Sequence, residues 1–570
     1  MASELLGLAQ RVSQPNAVAV DYRNLHKNWT DYMTRLKRVT IAILLVTGFA
    51  ASASVNPAGA QGGQDRVTIL TRPESSDFEE TSRYEDVMAF VETVVVSSPN
   101  MHLTTLGYSM EGRKLPVVVV GDVEDATAEA VLASGKLRMF VQANIHAGEV
   151  CGKEAMLMLL RSLANGEHAA WLDSLVLLIA PIYNADGNER IGLTNRRYQH
   201  GPIAGMGQRA NGQGLDLNRD NVKLESPEAH SLVSFWRRYD PHIIMDLHTT
   251  NGTRHAYHIT YAPPLHPNTD PGIVDLLRND LLPEVTRSVK AKYDWDYYYY
   301  GNLPWRGMDV ERGWYSFGHQ PRYLTNYVGL RNRIGLLSEA YSYATFEDRI
   351  AATLRFVEEV ANYAHRNASA IRRTIEEADE ISIVGEDVAL RATFQRSSES
   401  VEILMGEVIE ERNPYSGEPV LRRLDVRRSE TMPEFGTFQA TETVRAPAAY
   451  LIPGGLEGVL RKLDDHGIRW ERLEEPRDFR VERFATDSTR VAEREYQGHH
   501  RRTLFGAYEQ AEVTLPAGTA VVPLDQPLGR LAALLLEPRS DDGLLHWNFL
   551  DEGIEDSEFY PILRAFRWAD

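Results

Sequence analysis

Between residues 65 and 378 the apolar positions keep two alternating rhythms. Short unbroken runs at Leu115–Val120, Leu137–Ala143, Leu175–Ile182, Ile243–Leu247 and Ile334–Leu337 read as buried strands. Between them apolar residues recur with a helical period, at Glu85–Val95, Glu154–Ala164, Pro227–Tyr239, Ile273–Ala291 and Phe346–Ala378. This alternation predicts an α/β fold, a mixed, mainly parallel sheet with helices on both faces. Chemistry in such sheets gathers beyond the carboxyl ends of the strands.

From Ile381 the rhythm changes. Short alternating segments appear at Val388–Phe394, Ser400–Val408, Phe438–Val444 and Ala511–Leu515, parted by turns such as Asn413-Pro414-Tyr415-Ser416-Gly417. One amphipathic helix is expected at Leu456–His466. The reading is a catalytic α/β domain over residues 65–378 and a β-rich accessory domain over 380–570. The tyrosine run Tyr297 to Tyr300 reads as a loop beside the cleft.

The amino end carries a different pattern. Arg35, Lys37 and Arg38 precede an apolar run, Val39 to Ala50, and small residues lead to Ala58-Gly59-Ala60. That order is a secretory signal peptide, too short and too poor in large residues for a membrane span. Residues 1–60 are set apart as extension and signal, with Met33 a candidate start. An exported (periplasmic or extracellular) mature chain is expected, with an uncleaved signal anchor as the alternative. A net charge of −19 over 570 residues argues against nucleic acid as a partner. The single cysteine, Cys151, allows no internal disulfide and reads as a core thiol.

Three clusters fall at the ends of apolar runs and a fourth in a loop. His146-Ala147-Gly148-Glu149 follows the run ending at Ala143, and Asp246-Leu247-His248 ends another. Leu337-Ser338-Glu339 ends a third, and Asp216-Leu217-Asn218-Arg219-Asp220 lies in a loop with Arg209 shortly before it. Two imidazoles and one carboxylate make a three-ligand zinc site that leaves a position open, the arrangement of a catalytic metal. A separate carboxylate is then needed to move protons, and arginines to hold an oxyanion or a carboxylate.

With these residues in order the chain resembles the carboxypeptidase A-like family of zinc metallopeptidases, over roughly Tyr84 to Ala364. The Asn184-Ala185-Asp186-Gly187 turn resembles the family's Asn-Pro-Asp-Gly, and Leu106 to Arg113 its segment before an early strand. The resemblance implies that His146, Glu149 and His248 bind one Zn²⁺ and that Asp216 holds the ring of His146. It implies that Arg209 polarises the scissile carbonyl and that Asn218 and Arg219 hold the substrate's terminal carboxylate. Glu339 would be general base and then acid, and Tyr327, with Tyr323 and Tyr341 as rivals, the tyrosine that closes over substrate. The implied activity is hydrolysis of C-terminal peptide bonds by a zinc-activated water, on peptides or proteins with a free C-terminal carboxylate.

Several positions depart from the family pattern. Ala147 and Gly148 stand where an arginine is common. Asp220 follows Arg219 and is expected to weaken carboxylate affinity or to select a basic substrate. Thr249 and Thr250 replace a serine and an aromatic residue. Glu347 competes with Glu339 as base; Glu339 is preferred because Ile334–Leu337 is the better strand. Two other functions remain open: a related zinc amidohydrolase, deacylase or cell-wall peptide hydrolase, and a non-catalytic binding protein with a degenerate peptidase domain.

Overall fold

The five apolar runs form the middle of one eight-stranded sheet in a computed structural model that describes residues 66–250, 252–554 and 557–566. The expected signal segment lies outside the described residues. The strands are β1 (Met101–Tyr108), β2 (Lys114–Val120), β3 (Leu137–Ala143), β4 (Leu175–Ala180), β5 (Ile243–Thr250), β6 (Ile259–Ala262), β7 (Tyr297–Tyr299), β8 (Trp314–Tyr315) and β9 (Ile334–Tyr341). The order across the sheet is β1-β2-β4-β3-β5-β9-β6-β7, with β8 outside it. Strands β4, β3, β5 and β9 run parallel, while the pairings β1–β2, β2–β4 and β6–β9 are antiparallel. The parallel centre is buried on both faces, which is why its sequence is continuously apolar rather than alternating.

The connections decide where a site can form. From β3 the chain passes through helix Cys151–Ala164 to β4 on one side. From β4 it passes through helix Pro227–Tyr239 back across to β5 on the other. Right-handed crossovers in opposite directions put these two helices on opposite faces. The loops after β3 and β5 therefore part, and a crevice opens between the carboxyl ends of the two strands. The long helix Phe346–Glu380 packs against Cys151–Ala164. The tyrosine run is not the expected loop. Tyr297–Tyr299 pairs with β6 as an edge strand, and Tyr300 alone turns toward the crevice.

Beyond Glu380 the chain is rich in strands, arranged in several sheets. Its largest sheet has six strands and contains a long hairpin, Arg477–Val491 paired with Arg502–Leu515. The sequence pattern captured only the last five residues of that hairpin, because most of its outer positions are charged and exposed on both faces. The helix expected at Leu456–His466 is present as Glu457–His466. A second helix, Gly529–Leu536, is fully buried and so lacks the amphipathic stripe that would betray it. Leu531, Leu534 and Leu535 join the same apolar core as the eight-stranded sheet. Strand β8 pairs with Arg428–Phe435 of this region. No helix among the described residues is long and apolar enough to cross a membrane.

Candidate metal centre and substrate cleft

The turn after β3 is built from residues chosen for backbone shape. Asn144 takes a left-handed conformation (φ 69°), and asparagine tolerates this better than most residues. Gly148 sits where any Cβ would fall 2.6 Å from Cγ of Arg196 and 2.7 Å from the Gly207 carbonyl oxygen. The missing side chain lets Arg196 cross the turn and donate to Glu149 Oε1 (2.6 Å) and to the Thr249 carbonyl (3.2 Å). An arginine thus stands beside the ligands after all, supplied from another loop.

His146, Glu149 and His248 each offer one ligand atom, and these atoms lie within 4.8 Å of one another. All three residues are buried, at 4, 3 and 2 % exposure. Glu149 spans the rings, with Oε1 3.0 Å from Nδ1 of His146 and Oε2 2.8 Å from Nδ1 of His248. Each ring is held from behind by a carboxylate. His146 Nε2 donates to Asp216 Oδ1 (3.0 Å), and His248 Nε2 donates to Asp246 Oδ2 (2.6 Å). A donor held through Nε2 presents its Nδ1 lone pair forward, and the carboxylate behind it raises its basicity. The donor set, its burial and its paired carboxylates fit zinc.

The electrostatics follow from this packing. Burial opposes the charge on Glu149, but Arg196, His146 and His248 outweigh it and hold its carboxyl well below the usual range. Asp216 is likewise pushed up by burial and held lower by His146 and Arg209. Burial lowers His248, and Asp246 and Glu149 raise it well above the usual imidazole value. A metal ion at this point takes the place of a proton.

Around the cluster lies a cleft of about 180 Å³. Arg209, Asn218, Arg219 and Glu339 line it, together with Arg196, Tyr300 and Tyr323. Asp216 opens a short 3₁₀ turn, Leu217–Arg219, and its Oδ1 accepts from the Asn218 N–H (3.0 Å). Arg209 clasps Asp216 Oδ2 through Nε (2.9 Å) and Nη2 (2.8 Å). Arg219 lies over the ring of Tyr323 (4.3 Å), and Asn218 accepts from the Leu324 N–H (3.0 Å).

Glu339 reaches the cleft because β9 runs in register with β5, Glu339 opposite His248, so both side chains leave the same face. Among the described residues it has no hydrogen bond or ion pair. Burial pushes its carboxyl up to about 8; His248 pulls it down, and Glu149 adds to the rise. The rival Glu347 is exposed at the start of helix Phe346–Glu380 and does not line the cleft.

Two expectations need correcting. Tyr327 does not face the cleft: helix Leu324–Leu330 turns it inward, fully buried, with its hydroxyl bonded to His466 Nδ1 (2.7 Å). Tyr300 and Tyr323 stand at the cleft instead. Asp220 does not confront substrate either. It is buried, paired with Lys223 (2.6 Å), and caps the next helix through the N–H and hydroxyl of Ser226. Of the two threonines, Thr249 faces away toward Cys151 (3.1 Å), whereas Thr250 lies beside Tyr300. Asp246 was visible in the sequence two residues before His248, on the same strand face, but had no role assigned. Arg196 and Tyr300 gave no local signal.

Residues 87–252 match the family model described as zinc carboxypeptidase. Over that span the chain resembles the zinc carboxypeptidase family. This is a family of peptide-bond hydrolases, and the matched span contains the metal-ligand candidates, Arg209, Asp216, Asn218 and Arg219 but ends before Glu339. Carboxypeptidase 2 of Trichophyton tonsurans is 24% identical over 481 residues, covering 80% of this chain and 81% of that protein. Carboxypeptidase 2 of Trichophyton rubrum is 23% identical over 512 residues, 85% of this chain and 86% of its own. Both alignments are too long to end before Glu380, so they include part of the strand-rich region. Among solved structures, a metallo-carboxypeptidase from Burkholderia cenocepacia aligns with a TM-score of 0.37 at 17% identity, over 50% of this chain and 69% of that one.

Proposed function

We propose that this protein is an exported metallocarboxypeptidase that removes residues from the C-termini of peptides, with one Zn²⁺ held by His146, Glu149 and His248. The observation that carries the reading is the convergence, in one small cleft, of a buried His-Glu-His donor set, two arginines with an asparagine, and an untethered glutamate. Zinc, when bound, supplies a Lewis acid that polarises the scissile carbonyl and lowers the pKa of water.

The chain's own groups supply the rest. Asn218 and Arg219 hold the terminal carboxylate, Arg219 with its plane fixed by stacking on Tyr323. Arg209, anchored by Asp216, donates to the oxyanion that develops at the carbonyl. Glu339 takes the proton of the attacking water and passes it to the leaving amine, free to do both because no described residue binds it. Its raised pKa suits a group that must both accept and give a proton near neutrality. Tyr300 and Tyr323 are the aromatic walls against which the terminal side chain packs. Export rests on the basic, apolar and small-residue order of residues 35–60.

The test is a peptide mixture incubated with the zinc-loaded chain, with and without chelator, and read by mass spectrometry. Stepwise shortening from C-termini that stops on chelation is expected. Internal cuts, or release of acyl groups alone, would overturn the reading.

A further inference from the structure

Two segments far apart in the chain meet behind the carboxylate-binding pair. The loop that closes the long hairpin, between Val491 and Arg502, ends in a tight turn at Gln497-Gly498. Tyr496 N–H donates to the His499 carbonyl (2.9 Å) and His499 N–H to the Tyr496 carbonyl (3.2 Å). Both turn residues have positive φ, 53° at Gln497 and 82° at Gly498, the type I′ geometry that suits a hairpin. Glycine adopts this freely; a glutamine does so at a cost.

What the strained residue does is specific. Gln497 Oε1 accepts the backbone N–H of Asp216 (2.9 Å), the residue that holds both His146 and Arg209. Its neighbour Tyr496 accepts, through its hydroxyl, from Nε of Arg219 (3.0 Å). The tip is itself fixed. His499 bonds Glu225 (3.0 Å) and Asn548 (3.2 Å), and the Tyr496 ring lies near-parallel to Trp547 at 6.1 Å. Trp547 Nε1 donates to Asp542 (2.8 Å), which in turn pairs with Arg322 (3.0 Å), the residue before Tyr323. Arg219 is therefore held on its face by Tyr323 and along its Nε edge by Tyr496.

We propose that the Tyr496–Gln497 tip is a positioning element of the active site, which orients Arg219 and so sets the affinity for the substrate's terminal carboxylate. This rests on the carboxypeptidase reading above. The strand-rich region then contributes to substrate binding without touching substrate. A guanidinium held on two sides loses less freedom when it clamps a carboxylate than one free to turn.

Tyr496→Phe keeps the ring and its packing and removes one hydrogen bond to a charged group. In the full-length zinc-loaded enzyme, assayed on a blocked dipeptide with a free carboxylate, KM should rise about three- to ten-fold. The inhibition constant of the released amino acid should rise with it, while kcat stays within about two-fold, because the lost interaction is the same in ground and transition states. Gln497→Gly, which preserves the turn, should move both constants in the same direction. Zinc content and melting temperature should match wild type. Unchanged KM and inhibition constants in Tyr496→Phe would overturn the proposal, as would losses explained by lost zinc or lowered stability. A wild-type enzyme that releases no C-terminal residue would instead overturn the function on which it rests.

Discussion

Two glutamates in different regions of this molecule, Glu537 fully buried and Glu339 partly so, meet opposite fates. Glu537, in the strand-rich region, is fully buried and its carboxylate is satisfied on every side. Arg564 bonds it through two nitrogens, Tyr450 donates to Oε1 (2.6 Å) and Tyr508 to Oε2 (2.9 Å). Glu339, at the end of β9, has no such partner among the described residues and keeps a carboxyl pushed up to about 8, chiefly by burial. A buried carboxylate with a full set of donors stabilises one structure. One left without donors is costly to the fold, and beside a metal-ligand cluster it suits the proton-carrying role proposed for it.

The sharpest way to break that contrast is Glu339→Gln. The variant should bind zinc normally and lose about 10²–10⁴ in kcat, measured on a blocked dipeptide with metal content checked in parallel. Near-normal turnover would remove Glu339 from the mechanism. The same change should stabilise the metal-free protein. The folded carboxyl is pushed up to about 8 from an ordinary 4.5, so its contribution to stability is full below pH 4.5 and is lost as pH rises through 8. Glutamine carries no such loss, so at pH 8 the variant should be more stable by about 1–2 kcal/mol after allowance for solvent at the cleft, read as a higher melting temperature. At pH 4 the two metal-free proteins should melt alike.

Glu537→Gln should do the reverse. It leaves Arg564 buried without its full counter-charge, and removing one partner of a buried pair costs about 3–5 kcal/mol. Thermal unfolding would report the loss, while kcat per folded, zinc-loaded molecule should be unchanged. A fall in kcat without a fall in stability would mean that the strand-rich sheet acts on catalysis directly.

What the sequence revealed follows from the same division. Residues at strand ends were legible because a parallel sheet turns register into proximity. His146 and Glu149 follow β3, His248 ends β5, and Glu339 faces His248 across one strand gap, so apolar runs alone bring them together. Asp216 and Arg209 were legible as a motif. Arg196 was not, since it reaches Glu149 across a loop and depends on Gly148 lacking a side chain. Asp220 misled because an acidic residue beside Arg219 looks like a neighbour in space, whereas the 3₁₀ turn sends its side chain to the next helix. Tyr496 and Gln497 lie 277 and 281 residues from their partners, and no pattern along the chain connects them.

Tyr327 shows how spacing without helical phase goes astray, and it offers the finest test of the contrast between chemistry and scaffold. Counted back from Glu339 it stands where a substrate-closing tyrosine is wanted. In the fold it belongs to the seam between the two regions. Its hydroxyl donates to His466 Nδ1 and accepts from Arg331 (3.2 Å), while His466 Nε2 donates to the Val222 carbonyl (3.0 Å). Burial, with Arg331 beside it, pushes His466 down to about 3, so the ring is neutral and its Nδ1 needs a donor. Tyr327→Phe leaves that nitrogen buried and unpaired, which should cost about 1–3 kcal/mol in thermal or urea unfolding. Because the lost hydroxyl points away from the cleft, kcat and KM should stay within about two-fold of wild type. A specific loss of kcat in Tyr327→Phe, with stability intact, would mean that helix Leu324–Leu330 turns over during catalysis and that the tyrosine serves substrate after all.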